Sequence, residues 1–251
     1  MNRMKLVPVF AAVLLVALSG CGALNDGDAK QTTLGEPVIT DDMSAEEIQQ
    51  LSANATEGYS SYEMTMNMSV DSDSASLSMI MDGVVNNDEK KAKMDMTVDA
   101  GLRSFDTTAY IDDQTVYIQN ENTGDWQTEQ GSSSMNWEQT NQLQQQRELL
   151  NASEVEVTGS TTIDGETMTI ITIQPNESAM QELVAQQQGT DFSGSSIDEM
   201  TIKMYISDQT AHVRKMDMDA TMTAEGQRME MDLIVTLSNY GTDTNIQIPD
   251  A

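Results

Sequence analysis

From Tyr59 onward, apolar and polar residues alternate along this chain with a period of two. Met64, Met66, Met68 and Val70 alternate with Glu63, Thr65, Asn67 and Ser69. Leu77, Met79 and Met81 alternate with Ser76 and Ser78, and Met94, Met96 and Val98 with Lys93, Asp95 and Thr97. Successive side chains of a strand point to opposite faces, so strict alternation marks strands with one buried and one wet face. The same reading predicts strands at 105–111, 114–120, 154–160, 166–174, 198–206, 212–223 and 227–238. Asp112-Asp113 and Asp164-Gly165 supply turns between neighbours. Three segments carry a helical spacing instead. Ser44-Ala-Glu-Glu47 is a capping-box pattern that opens a helix at 44–57. Residues 139–150 and 177–188 are predicted as two further helices. Residues 121–138, around Trp126 and Trp137, and 189–196 read as polar loops. The expectation is one α+β domain over 43–251: a curved antiparallel sheet of about ten strands, with three helices covering its concave face.

The first residues follow a different logic. Arg3 and Lys5 precede an uninterrupted apolar run at 6–18. Thirteen helical residues span about 20 Å, short of the ~30 Å apolar core of a bilayer. A positive start, a short apolar run and small residues after it make an export signal. The run ends in Leu18-Ser19-Gly20-Cys21, which resembles a lipobox, and Cys21 is the only cysteine of the chain. The expected organisation is a lipoprotein signal peptide at 1–20, then a lipidated Cys21 with a flexible tether at 21–42, then the domain at 43–251. Two lipid chains on Cys21 would hold the protein on the outer face of the cell membrane, where a single chain would be marginal.

Charge narrows the function classes. The 251 residues include 41 Asp and Glu against 12 Lys and Arg. Removing Arg3 and Lys5 with the signal leaves 10 cations, so the mature chain carries a net −31. Such a surface argues against a nucleic-acid partner, because phosphate contacts need cations. The carboxylates are dispersed as single residues, which suits a surface adapted to high salt. No calcium-loop motif gathers them.

The lipobox, tether and first helix lead to Tyr59-x-x-Tyr62 and an alternating strand. A long meander and two short helices follow, and Asn239-Tyr240-Gly241 then runs on to Ile246-Gln-Ile248-Pro249. In this order of parts the chain resembles the LolA/LppX-like lipoproteins, of the haloarchaeal and Gram-positive type, over residues 43–251. The resemblance implies a curved half-barrel whose helices plug the concave side. It further implies a carrier without catalytic residues that holds lipid or an acyl chain between sheet and helices.

The interior expected here departs from that family in being rich in Met, with 20 in the chain, and poor in aromatics. Side chains two apart on a strand lie about 6.5–7 Å from each other on one face. The candidates for a ligand groove are therefore Met66, Met79, Met81, Met94, Met96, Met218 and Met231. Methionine also fills irregular cores, and its polarizable thioether suits variable apolar ligands. A Cu(I) site would need three or four sulfurs on one ion, and Met spread over five strands lacks that focus, so no metal is expected. No nucleophile elbow, P-loop or dinucleotide fingerprint occurs, and His212 is the single histidine, expected exposed or on a turn. No enzyme activity and no cofactor are expected. Sequons stand at Asn54, Asn67, Asn151 and Asn176, candidate N-glycosylation sites on an exported chain. Two functions fit: an anchored binder or carrier of an apolar ligand, or a closed acidic interaction module on the cell surface.

Overall fold

The computed structural model describes residues 37–56, 59–73, 76–101, 103–113, 115–120, 123–130, 153–176, 195–224 and 226–249. One helix, α1 (Ala45–Thr56), precedes eleven strands. These are β1 (Ser61–Ser72), β2 (Ser76–Asn86), β3 (Lys91–Asp99), β4 (Ser104–Asp112), β5 (Thr115–Gln119) and β6 (Trp126–Gln130). They continue as β7 (Ser153–Ile163), β8 (Glu166–Pro175), β9 (Ser195–Ser207), β10 (Val213–Ala224) and β11 (Gln227–Ser238). All belong to one open, curved antiparallel sheet in the order β6-β5-β4-β3-β2-β1-β11-β10-β9-β8-β7. The first and last strands thus lie side by side at its centre, while β6 and β7, consecutive in sequence, form its opposite edges.

The start of α1 is fixed as the sequence suggests. The Glu47 amide donates to Ser44 Oγ at 3.2 Å, and the Ser44 amide donates back to Glu47 Oε2 at 2.8 Å. Each bond satisfies an amide that helix geometry leaves without a partner. Ala45 and Ile48 are buried, and Leu51 and Ala55 pack behind them against the sheet's core. Between β7 and β8, Asp164 and Gly165 both have positive φ, the two-residue turn whose twist matches a hairpin.

Two expectations change. The segment around Trp126 is not a loop. Residues 126–130 form the edge strand β6, paired to β5 from Gln119↔Trp126 to Thr115↔Gln130. Gln127 lies opposite Ile118, so the strand lacks the apolar alternation that would betray it. The sheet therefore has eleven strands, not about ten. Of the three expected helices, α1 is the one found among the described residues. Those expected at 139–150 and 177–188, Trp137 and residues 189–194 of the loop expected at 189–196 lie outside them, while residues 195–196 of that loop begin β9.

The core occupies one face of the sheet. Tyr62, Met64, Met66 and Met68 of β1 are buried, as are Met79, Met81 and Val85 of β2 and Leu233 and Val235 of β11. Each such side chain contributes about 1.5–3 kcal/mol by leaving water. Gly83 shows how closely this face is filled. A Cβ there would stand 2.9 Å from Met64 Cγ, which folds over the glycine from the neighbouring strand. Gly83→Ala should therefore cost about 1–3 kcal/mol through overpacking. A denaturant midpoint equal to that of the native protein would show that Met64 yields freely.

Candidate functional site

The strand registers assemble the methionines into rows that cross the sheet. One row runs Met96, Met81, Met66, Val235, Met216, Met204, Ile171 from β3 through β8. The next runs Val98, Met79, Met68, Leu233, Met218, Ile202, Ile173 over the same strands. Directly opposed Cβ atoms in such rows are about 4.5–5.5 Å apart, so neighbouring side chains touch. No member of either row is charged. The seven methionines singled out from the sequence all fall on this face: Met66, Met81 and Met96 in the first row, Met79 and Met218 in the second. Met94 and Met231 lie one position further out on β3 and β11.

Burial varies along the face. Over β1–β3, Met66, Met79, Met81 and Met94 are at most 1 % exposed. They are core side chains that a ligand would reach only by displacing other atoms. Met218 and Met231 are also buried, while Met96 is partly exposed. Over β9–β11, Met200, Met204, Met216 and Met222 are half-buried and border the core, interleaved with the buried Ile202, Met218, Ala220, Met231 and Leu233, and Met229 is half-buried near the start of β11. These five retain contact with the surroundings, as do Val70, Leu77, Met96 and Phe105 on β1–β4. None of these five methionines was among the groove candidates, although the alternation along β9–β11 already placed them on the apolar phase.

One end of the sheet is closed by rings. Tyr59 meets His212 edge-on at 4.7 Å between centroids, and His212 lies 4.8 Å from Tyr240. Tyr240 is in turn 6.2 Å from Tyr62. Its hydroxyl donates to the Val213 carbonyl at 2.6 Å. His212 does lie at a turn, but it is buried rather than exposed. Burial, and then the charge of Arg214, hold its pKa below the ordinary histidine value, against the opposing pull of Glu166. The imidazole is therefore neutral near pH 7 and works as a ring among rings. The chain enters at this same end: the Val38 and Ile39 amides donate to the Asp208 carbonyl at 2.8 and 3.1 Å. Ile39 is buried, so packing begins within the segment expected to be tether.

The opposite, convex face is polar. Thr65 donates to Asp82 at 2.9 Å, Thr97 to Asp106 at 2.6 Å and Thr108 to Asp95 at 2.7 Å, each across a strand pair. Trp126 also lies against Tyr110, with centroids 5.4 Å apart. Asn67, Asn54 and Asn176 are exposed, and Asn151 lies outside the described residues. Among the described residues no three His, Cys, Asp or Glu side chains converge as metal ligands. No helix among them is long and apolar enough to cross a membrane.

Residues 44–251 match the model of a protein family, DUF6612, described as a family of unknown function. No curated protein matches the sequence. Among solved structures, the chain is similar to the lipoprotein LppX of Mycobacterium tuberculosis, with 17 % identity and a TM-score of 0.51 over 80 % of this chain and 96 % of LppX. It is equally similar to LprF of Mycobacterium bovis, with 16 % identity and a TM-score of 0.51 over 86 % of this chain and 100 % of LprF. The fold is LolA/LppX-like, as the order of elements in the sequence implied.

Proposed function

The chain belongs to the DUF6612 family, and from that premise we propose that it is a non-enzymatic, extracytoplasmic lipoprotein that binds an apolar, lipid-like molecule. The observation that carries this reading is the uncharged, thioether-rich face that crosses the sheet and keeps five half-buried methionines among the buried side chains of β9–β11. The ligand lies against Met200, Met204, Met216, Met222 and Met229. The fully buried methionines of β1–β3 serve as the packed floor beside it. Thioethers adapt to chains of varied shape, which suits a carrier with broad apolar tolerance. The similarity to a lipoprotein, LppX, supports the same place of action. Lipid on Cys21 anchors the chain, and residues 22–36 link that anchor to the closed end of the sheet.

Native mass spectrometry of the mature chain in volatile high salt, followed by solvent extraction, tests this. The expected result is a stoichiometric extra mass that extracts as lipid or isoprenoid. Met216→Glu, which places a carboxylate on the half-buried part of the face, should remove it while the fold persists. A bare polypeptide mass, unchanged after incubation with host lipids, would overturn the proposal. It would favour the closed interaction module, to which the sealed packing over β1–β3 already conforms.

A further inference from the structure

On the convex face, outward positions of the central strands are almost all polar. On β11 they are Arg228, Glu230, Asp232 and Thr236, and on β2 Ser76, Ser78 and Asp82. Three residues break the pattern: Val84 of β2, half-buried opposite Glu63, and two more open ones. Ile80 is 50 % exposed and Ile234 is 39 % exposed, two of the four large apolar side chains most open to solvent among the described residues. They are not scattered. Asn67 of β1 pairs with Ile234 of β11 on one side and with Ile80 of β2 on the other. With strands about 4.8 Å apart, the two isoleucines flank the asparagine at about 10 Å from each other. Asn67 is exposed and opens the sequon Asn67-Met68-Ser69.

We propose that Asn67 carries an N-linked glycan whose first sugars lie over Ile80 and Ile234. A pyranose ring has an apolar face of C–H groups, about as wide as one strand spacing, and an isoleucine on each side gives it matching surface. Exposed apolar side chains in the middle of a wet sheet face otherwise invite association with another surface. The neighbouring hydroxyls and carboxylates are already joined to each other: Thr65 donates to Asp82, and Ser69 donates to Asp232 at 3.4 Å. The sugar hydroxyls therefore meet carboxylates, Asp82 and Asp232, that each already accept a hydrogen bond from a strand neighbour. In the transfer, a bond forms between Asn67 Nδ2 and the anomeric carbon of a sugar carried on a lipid-linked phosphate. The anomeric C–O bond breaks, the lipid phosphate departs, and the amide nitrogen gives up one proton. The donor and the membrane transferase come from the host's export pathway. Transfer precedes closure of the sheet, because the finished ladders hold β1 on both sides. The two other sequons among the described residues lack this setting. Asn54 is exposed on α1 and Asn176 follows β8, and neither has a paired apolar flank on the sheet.

The test is glycopeptide mass spectrometry of the full chain exported by a host that N-glycosylates secreted proteins. The expected result is a sugar on the peptide containing Asn67, lost in Asn67→Gln. An unmodified Asn67 peptide from folded, exported protein would overturn the proposal, as would sugar confined to Asn54, Asn151 or Asn176. The cover over the isoleucines has its own readout. Asn67→Gln should salt out at a lower ammonium sulfate concentration than the glycosylated protein. Adding Ile80→Thr and Ile234→Thr should return it to the original value. If Asn67→Gln salts out with the parent, the sugar does not shield the isoleucines and that part of the inference fails.

Discussion

Moving the mature protein from about 1 M salt to about 0.1 M is expected to abolish its folded circular dichroism signal. Screening then weakens from a reach of about 3 Å to about 10 Å, and a net −31 begins to repel itself across the whole convex face. The register makes this worse at defined places, since Asp219 stands directly opposite Asp232 and Asp82 opposite Asp95. Like charges facing each other across strands are destabilising. Cations give little relief. Lys91 is engaged with Glu89, Lys93 with Asp95 and Lys215 with Asp217, all partly exposed pairs of the kind that contribute little each. A fold stable by only about 5–15 kcal/mol cannot absorb repulsion summed over so many groups.

The pH dependence has a sign that follows from the same pairs. Burial, then the hydrogen bond and charge of Asp232, raise the pKa of Asp219 above the ordinary aspartate value. Asp219 therefore takes up a proton more readily folded than unfolded. Its stabilising contribution is present below the unfolded value and is lost as pH rises through the folded one. Asp42, held low by Thr40, and Asp198, held low by Thr223 and Ser196, act in the opposite sense and lose their contribution as pH falls. Repulsion dominates at low salt. The salt concentration needed for folding should thus drop as pH is lowered from about 7 toward about 5, where aspartates begin to protonate. An unchanged spectrum across the salt range would refute adaptation to high salt.

Replacing Cys21 with serine is expected to shift nearly all of the protein from the membrane to the soluble fraction, or to leave an uncleaved precursor. A thiolate is readily alkylated to a thioether, and a serine hydroxyl is not. Each acyl chain contributes about 0.8 kcal/mol per buried CH₂, and stable anchoring takes two such signals. The described part of the chain offers no helix able to replace them. Fractionation with a labelled lipid precursor reads the result. If the Cys21→Ser chain is processed and sediments with membranes like its parent, lipidation at Cys21 is excluded.

Most of the sheet was legible because its chemistry is local. Met64-x-Met66-x-Met68 announces a strand and its buried face without reference to anything distant. The capping box at Ser44 did the same for α1. β6 escaped because an edge strand needs only backbone pairing: Trp126–Gln130 has a partner in β5 and no apolar stripe. The groove was legible in part. Periodicity told which methionines share a face, and it could not tell which of them end up sealed. That difference, between Met81 and Met216 for example, depends on what packs over each strand. The aromatic end was invisible for a related reason. Tyr59, His212 and Tyr240 become neighbours only when the first and last strands meet.

That meeting also bears on the order of folding events. The bond from the Ser61 hydroxyl to the Thr242 carbonyl joins residues 181 positions apart, and the β1–β11 ladder closes a loop of nearly the same size. Pairings of such separation form slowly, because the loop entropy is lost before the contacts reward it. On the proposed export route, with the chain threading outward from its N-terminus, β11 docks only once residue 238 has crossed the membrane. β1 would then stand outside with one flank unpaired while the last strand is still in transit, and the centre of the sheet would close only after export.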